Sequence, residues 1–400
     1  MGRLRGVRRR RGRDAARGLG EVTSESRGVG SRAPRGIRRA TTNASEPDIE
    51  EPYNRALRGI ARIAVALAAT GAALVAAGYR LGPERFWALA FVEYLPYPIH
   101  LLPALAAVLL SLALGPLWRV AALLALGLVV WGVMGFELHQ GDPRDGRVAL
   151  RVMTYNIKSH LAAARPGGYD RLAREIASHA PDIVVVQDGA EPSARRQFGP
   201  GSIAAIFGER LGYRYSSGQF TIASRHPLRD CAPGVAAPAL SSDAWVHCVV
   251  DVGATAIDLY DVHLRTPRQG LNAARSDAPG GVDDWEQNVA VRLAQAHDLA
   301  RALGAATRPV IVGGDLNAPE PSLAVRTLLA SGLRDAFSGA GVGFGYTYGH
   351  ALRPGFSFLR LDHVLVGPKI GVAGCRAGGA AGSEHRPVIA DLWIPAGAQG

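Results

Sequence analysis

An Asp two residues before an Asn, in "GGDLN", sets Asp315 and Asn317 at the end of an apolar run. Alternate residues of an extended chain face the same way, so the pair offers a carboxylate base with a neutral hydrogen-bond donor beside it. Polar residues close other apolar runs in the same manner. They are Asn156 in "TYNI", Gln187 and Asp188 in "DIVVVQD", His263 in "DVHL", Asp362 in "LDHVLV", and Glu384 with His385 in "SEHRP". A His after a carboxylate, with a separate Asp upstream to orient its ring, suits an imidazole held in one tautomer. Asn, Asp and Glu are hard oxygen donors, and without a Cys cluster or an HExxH stretch the implied ion is Mg²⁺ (or Mn²⁺) rather than zinc. Taken singly, each residue has a plainer reading: Asn156 as a helix cap, His263 as a satisfied buried imidazole, Asp315 and Asn317 as a turn, Asp362 as the partner of Arg360. Their order and spacing carry the argument.

What must position these residues is a set of short β-rich runs. "ALRVMTYNI", "DIVVVQ", "FTIAS", "WVHCVVDV", "AIDLYDVHL", "PVIVGGD", "LDHVLV" and "VIADLWI" read as strands. "YDRLAREIASHA" and "DDWEQNVAVRLAQAHDLARALG" carry apolar residues at helical spacing. Strands with helices between them predict an α/β domain over residues 148–397, with its site built from loops at the sheet edge. No internal repeat is present, and "GVGFGYTYG" lacks the flanking strand and helix that a phosphate loop needs.

Ahead of that domain the composition changes twice. Residues 1–62 hold 16 Arg against 7 acidic residues, with few large apolar side chains. Such a stretch cannot bury enough surface to offset its ordering entropy, so residues 1–59 read as a disordered tail. The tail accounts for most of the net charge of +11. It fits a cytoplasmic anchor facing anionic lipid better than a nucleic-acid ligand, and no cleavable signal segment follows it. Three apolar segments come next, at 60–78, 98–115 and 120–136, each about the length that crosses a hydrocarbon core of roughly 30 Å. They lack the polar face of helices in a soluble bundle. His100, beside Tyr97 and Pro98 at a span end, reads as interfacial. Residues 60–137 are thus a membrane region and 138–147 a linker. With the Arg-rich tail inside, three crossings of a multi-pass protein leave the domain outside the cytoplasm, and Arg119 in the short turn falls on the inner side.

All three cysteines, Cys231, Cys248 and Cys375, lie in the exported portion, where a disulfide persists. Cys231 and Cys248 flank a Pro/Ala/Ser-rich connection between two strands and are able to pair, leaving Cys375 free. Sequence leaves the connectivity open.

The motifs, in their order, resemble the endonuclease/exonuclease/phosphatase superfamily, the deoxyribonuclease I-like fold, over about residues 149–395. "TIASRHPL", "GGDLNAPEPS", "SEHRPVIADL", "GLRDAF" after the Asp-Leu-Asn motif, and Arg292 in the helix before it belong to the same pattern. The preceding spans resemble a membrane-tethered bacterial branch of that superfamily. The resemblance implies a four-layer αββα sandwich and a metal-dependent phosphoesterase. Asn156 and Asp188 would help hold the divalent cation, with Glu384 at the edge of the metal site. Asp315 would orient or deprotonate the attacking water, and Asn317 would bond the scissile phosphate. His385 would steady or protonate phosphate oxygens, with Asp362 pairing to its ring, while His263 would contact the phosphate from the other side. The reaction would be in-line attack of water on a phosphorus ester.

Two positions depart from the pattern. The family usually has Gln-Glu where this chain has Gln187-Asp188, and Ser-Asp-His where it has Ser383-Glu384-His385. One carboxylate is a methylene shorter and the other a methylene longer. If both face one ion, Glu384 reaches in as Asp188 withdraws behind a water; the competing replacement ligand is Glu191. The expected substrate is a phosphoester, whether lipid headgroup, small ester or nucleic acid, and no obligate protein partner is evident. Residues 151–400 hold 24 basic and 22 acidic residues, which argues against a broad basic face for a nuclease, although "SARRQ" and "HLRTPRQ" offer local patches. The two carboxylate swaps also admit a catalytically weakened binding or sensing domain.

Overall fold

The computed structural model describes residues 50–190, 203–234, 244–276, 280–353 and 355–396. Residues 1–49 of the Arg-rich tail, Glu191 and the "SARRQ" stretch lie outside them.

The first apolar segment lies in a helix, Glu50–Leu81, longer at both ends than the hydrophobic run alone implies. A second helix, Pro116–Gly127, continues as a π turn, Leu128–Val133. These two elements are long and apolar enough to cross a membrane, as Tyr53–Leu81 and Pro116–Val133. The middle segment forms a shorter apolar helix, Tyr97–Ser111, because the chain turns at 112–115 before Pro116 starts the next helix. Between Glu50–Leu81 and Tyr97–Ser111, the first and second apolar helices in chain order, residues 82–96 form short helical turns, including Pro83–Arg85 and Trp87–Val92.

Beyond the helices the chain folds into two six-stranded sheets. One runs in the order Gly371–Ala377, Val388–Ile394, Val148–Asn156, Ile183–Gln187, Phe220–Ser224, Tyr213–Ser217. The other runs Arg334–Asp335, Asp362–Val366, Val310–Asp315, Thr255–His263, Trp245–Val252, Leu228–Pro233. Each sheet is antiparallel except at its centre, where one parallel pair sits: Val148–Asn156 with Ile183–Gln187, and Thr255–His263 with Val310–Asp315. The eight expected strands are all present.

Strand alternation explains the layers. Leu150, Val152, Ile183 and Val185 face Val246, Val250, Leu259 and Val364 in the core between the sheets. The intervening Met153, Tyr155, Val184 and Val186 pack outward on Leu172 and Ile176 of the helix Gly168–His179. On the far side, Val312 and Leu365 pack on Leu299 and Leu303 of the helix Gly280–Gly304 and on Leu328 of Leu323–Ala330. The fold is the αββα sandwich, and runs such as "DIVVV" are apolar throughout because both faces are covered. The segment 138–147 lies along the sandwich: Glu137–Leu138 pairs with Val342–Gly343, and the indole of Trp393 donates to Asp142 O at 2.8 Å. Cys231 and Cys248 are joined across neighbouring strands, and Cys375 is free and buried.

Candidate active site

The two parallel pairs end at the same edge of the sandwich, and their last residues meet there. Asn156 Nδ2 donates to Asp315 Oδ2 at 2.9 Å, a bond that joins the two sheets. Asp315 is fully buried, and its other oxygen accepts the backbone N–H of Asn317 at 2.9 Å. Asn317 adopts φ 48°, a left-handed turn that Asn tolerates better than most side chains. Its amide donates to Leu264 O at 2.9 Å, and its own carbonyl accepts the Tyr94 hydroxyl at 2.9 Å.

Two imidazoles flank Asp315 Oδ2, each with Nε2 at 3.7 Å: His263 and His385. His385 Nδ1 is 2.8 Å from Asp362 Oδ2, so the Asp orients the ring as the sequence implied. The Tyr348 ring lies 4.9 Å from the His385 ring. His263 Nδ1 instead meets Gln219 Oε1 at 2.6 Å. Arg360 is not the partner of Asp362; it bonds Asp335 at 2.7 Å and Glu320 at 2.5 Å. Asp335, in "GLRDAF", also caps the helix Ala336–Ala340 and holds His363 at 2.8 Å.

These neighbours set the charges. Burial pushes His385 toward neutrality, but Asp362 and Asp315 raise it above the ordinary imidazole range. Burial lowers His263, and Asp315 and Asp188 oppose that only in part. For Asp315 burial opposes ionisation, yet His385, His263 and Lys158 hold it below the usual carboxylate range. The edge therefore pairs an ionised Asp with one imidazole that favours its protonated form and one that favours its neutral form.

The outer half of the site is more open. Burial works against the charge of Asp188, but His263 and Lys158 pull it down to about 2. Lys158 forms an ion pair with Asp188 Oδ2, and both residues sit at positive φ. Glu384 turns to two arginines, Arg165 at 3.4 Å and Arg268 at 3.8 Å. Lys158, Arg265 and Arg268 line a cavity of about 210 Å³ with Asp188, Gln219 and His263, so part of the "HLRTPRQ" patch does reach the site. Gln187 differs from expectation. It bonds Asp261 at 2.6 Å and Thr154 at 3.1 Å inside the sandwich, because strand alternation turns it away from Asp188.

A hard cation would find oxygen donors here. The ligand atoms of Asp315 and Asp362 lie within 4.8 Å of each other and of a His385 nitrogen, and Asp362 Oδ1 is buried with no hydrogen-bond partner among the described residues. Asn156 Oδ1 and the ionised Asp188 add oxygen donors at the same edge. Sequence reasoning missed Lys158, Gln219, Arg165, Tyr348 and Tyr94. Lys158 lies two residues past Asn156 and was in view; the others arrive from distant segments with no local signal.

The family model described as the endonuclease/exonuclease/phosphatase family matches residues 153–385, more than half of the chain. No curated protein sequence matches. Among solved structures the chain is similar to an endonuclease/exonuclease/phosphatase from Beutenbergia cavernae, with 19% identity, 64% of this chain and 74% of that one covered, and a TM-score of 0.44. It is also similar to an endonuclease/exonuclease/phosphatase from Bacteroides vulgatus, with 17% identity, 62% and 100% covered, and a TM-score of 0.46. A third likeness is to sphingomyelinase C from Streptomyces griseocarneus, with 20% identity, 61% and 99% covered, and a TM-score of 0.40.

Proposed function

The chain belongs to the endonuclease/exonuclease/phosphatase family, and on that premise we propose that it is a membrane-anchored, divalent-metal-dependent phosphoesterase working outside the cytoplasm. The observation that carries this reading is the buried cluster in which Asp315 Oδ2 takes a bond from Asn156 at 2.9 Å and faces both His263 and His385. Asp315, ionised and fixed by Asn156 and Asn317, orients the attacking water and takes its proton. His385, held by Asp362 and biased toward its charged form, steadies or protonates the phosphate oxygens. His263 and the Asn317 amide bind the phosphate from the two sides. Asn156, Asp188 and Glu384 would hold Mg²⁺ or Mn²⁺, and the ion would supply positive charge against the charge developing on the phosphoryl group.

The compact cationic cavity around Lys158, Arg265 and Arg268 favours a lipid headgroup or small phosphoester over a long nucleic-acid track, which draws on many phosphate contacts. Membrane anchoring is supported by apolar side chains left uncovered along the helices. Ile60 is 64%, Leu67 69%, Leu74 67%, Leu117 76% and Leu124 69% exposed, large apolar side chains that suit a lipid surrounding better than water. We assign the shorter helix Tyr97–Ser111 as the middle of three crossings, which places the domain opposite the Arg-rich tail. The Cys231–Cys248 disulfide suits that oxidising side.

One experiment tests both parts. Sealed cells making the full chain should hydrolyse external bis-p-nitrophenyl phosphate in the presence of Mg²⁺ or Mn²⁺. Asp315→Ala should lower that rate by about 10²–10⁴-fold, the loss expected for a general base. Equal rates in the two would refute the enzyme reading, and activity only after lysis would refute the location.

A further inference from the structure

The loop that follows Asp315, residues 316–322, carries Asn317 and ends at the helix Leu323–Ala330. Both ends of this loop are held by residues from outside the sandwich. At its start, the Tyr94 hydroxyl donates to the Asn317 carbonyl at 2.9 Å. At its end, the Glu84 carboxylate accepts the Leu323 N–H, with Oε2 at 2.9 Å, and bonds the Ser322 hydroxyl. Glu84 therefore supplies a negative charge at the N-terminus of that helix, where exposed N–H groups and the helix dipole favour one. Arg326, on the same helix, donates to Arg80 O at 2.5 Å.

Glu84 and Tyr94 both come from the short segment between the first and second apolar helices. That segment is seated firmly. Phe91 stacks on Trp285 at 4.8 Å, Tyr94 meets the same indole edge-on at 5.7 Å, and Trp285 is 1% exposed. The Arg292 guanidinium lies 5.5 Å over the Tyr94 ring while donating to Arg265 O at 3.1 Å, in the loop that lines the phosphate cavity. Tyr94 thus touches both loops that flank the reacting groups, one directly and one through Arg292.

We propose that the segment carrying Glu84 and Tyr94 is a positioning element of the active site: a membrane-side clamp that fixes loop 316–322 and so holds Asn317 in the strained turn from which it reaches substrate. Asn317 sits at φ 48°, a conformation that persists when surrounding bonds over-determine it. Three bonds do so, from Asp315, Leu264 and Tyr94. Only the last depends on how the membrane region is seated. The proposal rests on the phosphoesterase reading for its kinetic consequence, not for its structural one.

The test uses the full chain in lipid vesicles with two variants, Tyr94→Phe and Glu84→Gln, which keep shape and remove one hydrogen bond or one charge. Turnover of bis-p-nitrophenyl phosphate and amide hydrogen exchange are read in parallel. Loss of one hydrogen bond corresponds to roughly 3- to 10-fold. Tyr94→Phe should lower kcat by about that factor with KM and the melting temperature unchanged, and Glu84→Gln should do so more weakly. Exchange should quicken over residues 316–323 and stay unchanged over the strand 310–315. Unchanged exchange in loop 316–322 overturns the clamp. So does a rate loss matched by melting and by faster exchange across both segments, which marks a merely structural role. If exchange responds locally while the native chain hydrolyses no ester, the clamp stands and the phosphoesterase reading fails.

Discussion

The two halves of the site are built on different terms. In the inner half, Asp315, Asp362, His385 and Asn156 are each at most 2% exposed, and each is bonded to another member of the group or to the backbone around it. In the outer half, the side chains of Asp188 and Glu384 are 26% and 20% exposed, and each answers to long cationic side chains: Lys158 for one, Arg165 and Arg268 for the other. Asp188 and Glu384, the two positions where the sequence departs from the pattern it resembles, both lie in the outer half. A buried network has no slack. A methylene added to Asp315 would break its bonds to Asn156 and Asn317 and leave polar atoms buried without partners, at a cost of about 1–3 kcal/mol each. At the rim, a flexible Lys or Arg follows the carboxylate as its length changes, and solvent fills the rest. Carboxylate length is therefore fixed inside and adjustable outside.

The inner half should break most sharply. Asp362→Asn keeps the shape beside His385 but removes the strongest influence raising its proton affinity after burial has lowered it. The expected result is a fall in kcat of about 10²–10⁴-fold, the contribution typical of an oriented acid or base. The sign of the pH effect follows. If His385 acts protonated, as proposed, its raised proton affinity in the native site means that activity is lost as pH climbs through that raised value. The substitution lowers the value, so the alkaline limb of the kcat profile should move to lower pH. A limb that stays in place would mean that His385 does not act as the charged group.

Much of this inner half was legible in the sequence, and for a physical reason. Asn156, His263, Asp315 and Asp362 each end or begin an apolar strand, so the run that buries the strand also delivers the residue to the edge. The runs alone predict an α/β domain, and the four-layer sandwich came with the family resemblance; strands apolar on both faces fit it, since each lies between helices and a second sheet. What could not be read is what tertiary packing delivers. Gln219 reaches His263 from a turn between two strands, and Tyr94 reaches Asn317 across a separation of 223 residues. Gln187 misled because a strand end presents only every second residue to one side. The middle apolar segment was read for its hydropathy, and the chain reverses at 112–115, which leaves its helix short.

The outer half offers a subtler break. If Asp188 and Glu384 serve one cation, the shorter and the longer carboxylate compensate, and restoring the longer one alone overfills the site. Asp188→Glu should then raise the metal concentration for half-maximal rate by about tenfold, within the range seen when groups around a metal are disturbed. Adding Glu384→Asp should restore it, the coupling that a double-mutant cycle measures. A gain in activity for the single change would show that the two positions are independent, each tuned only to its own cation.

The smallest effect belongs to Arg268, whose side chain is 55% exposed between Glu384, at 3.8 Å, and the Tyr348 hydroxyl, at 3.4 Å. It touches none of the four inner residues, and an ion pair at such exposure contributes about 0.2–1 kcal/mol, roughly one- to fivefold in an equilibrium constant. If its role is to draw an anionic ester toward the cavity shared with Lys158 and Arg265, Arg268→Gln should raise KM within that range and leave kcat alone. The difference should shrink as salt is added, because the screening length falls from about 10 Å at 0.1 M to about 3 Å at 1 M. A loss in kcat that salt does not relieve would place Arg268 with the inner residues. The boundary between fixed and adjustable parts would then run outside Glu384 rather than inside it.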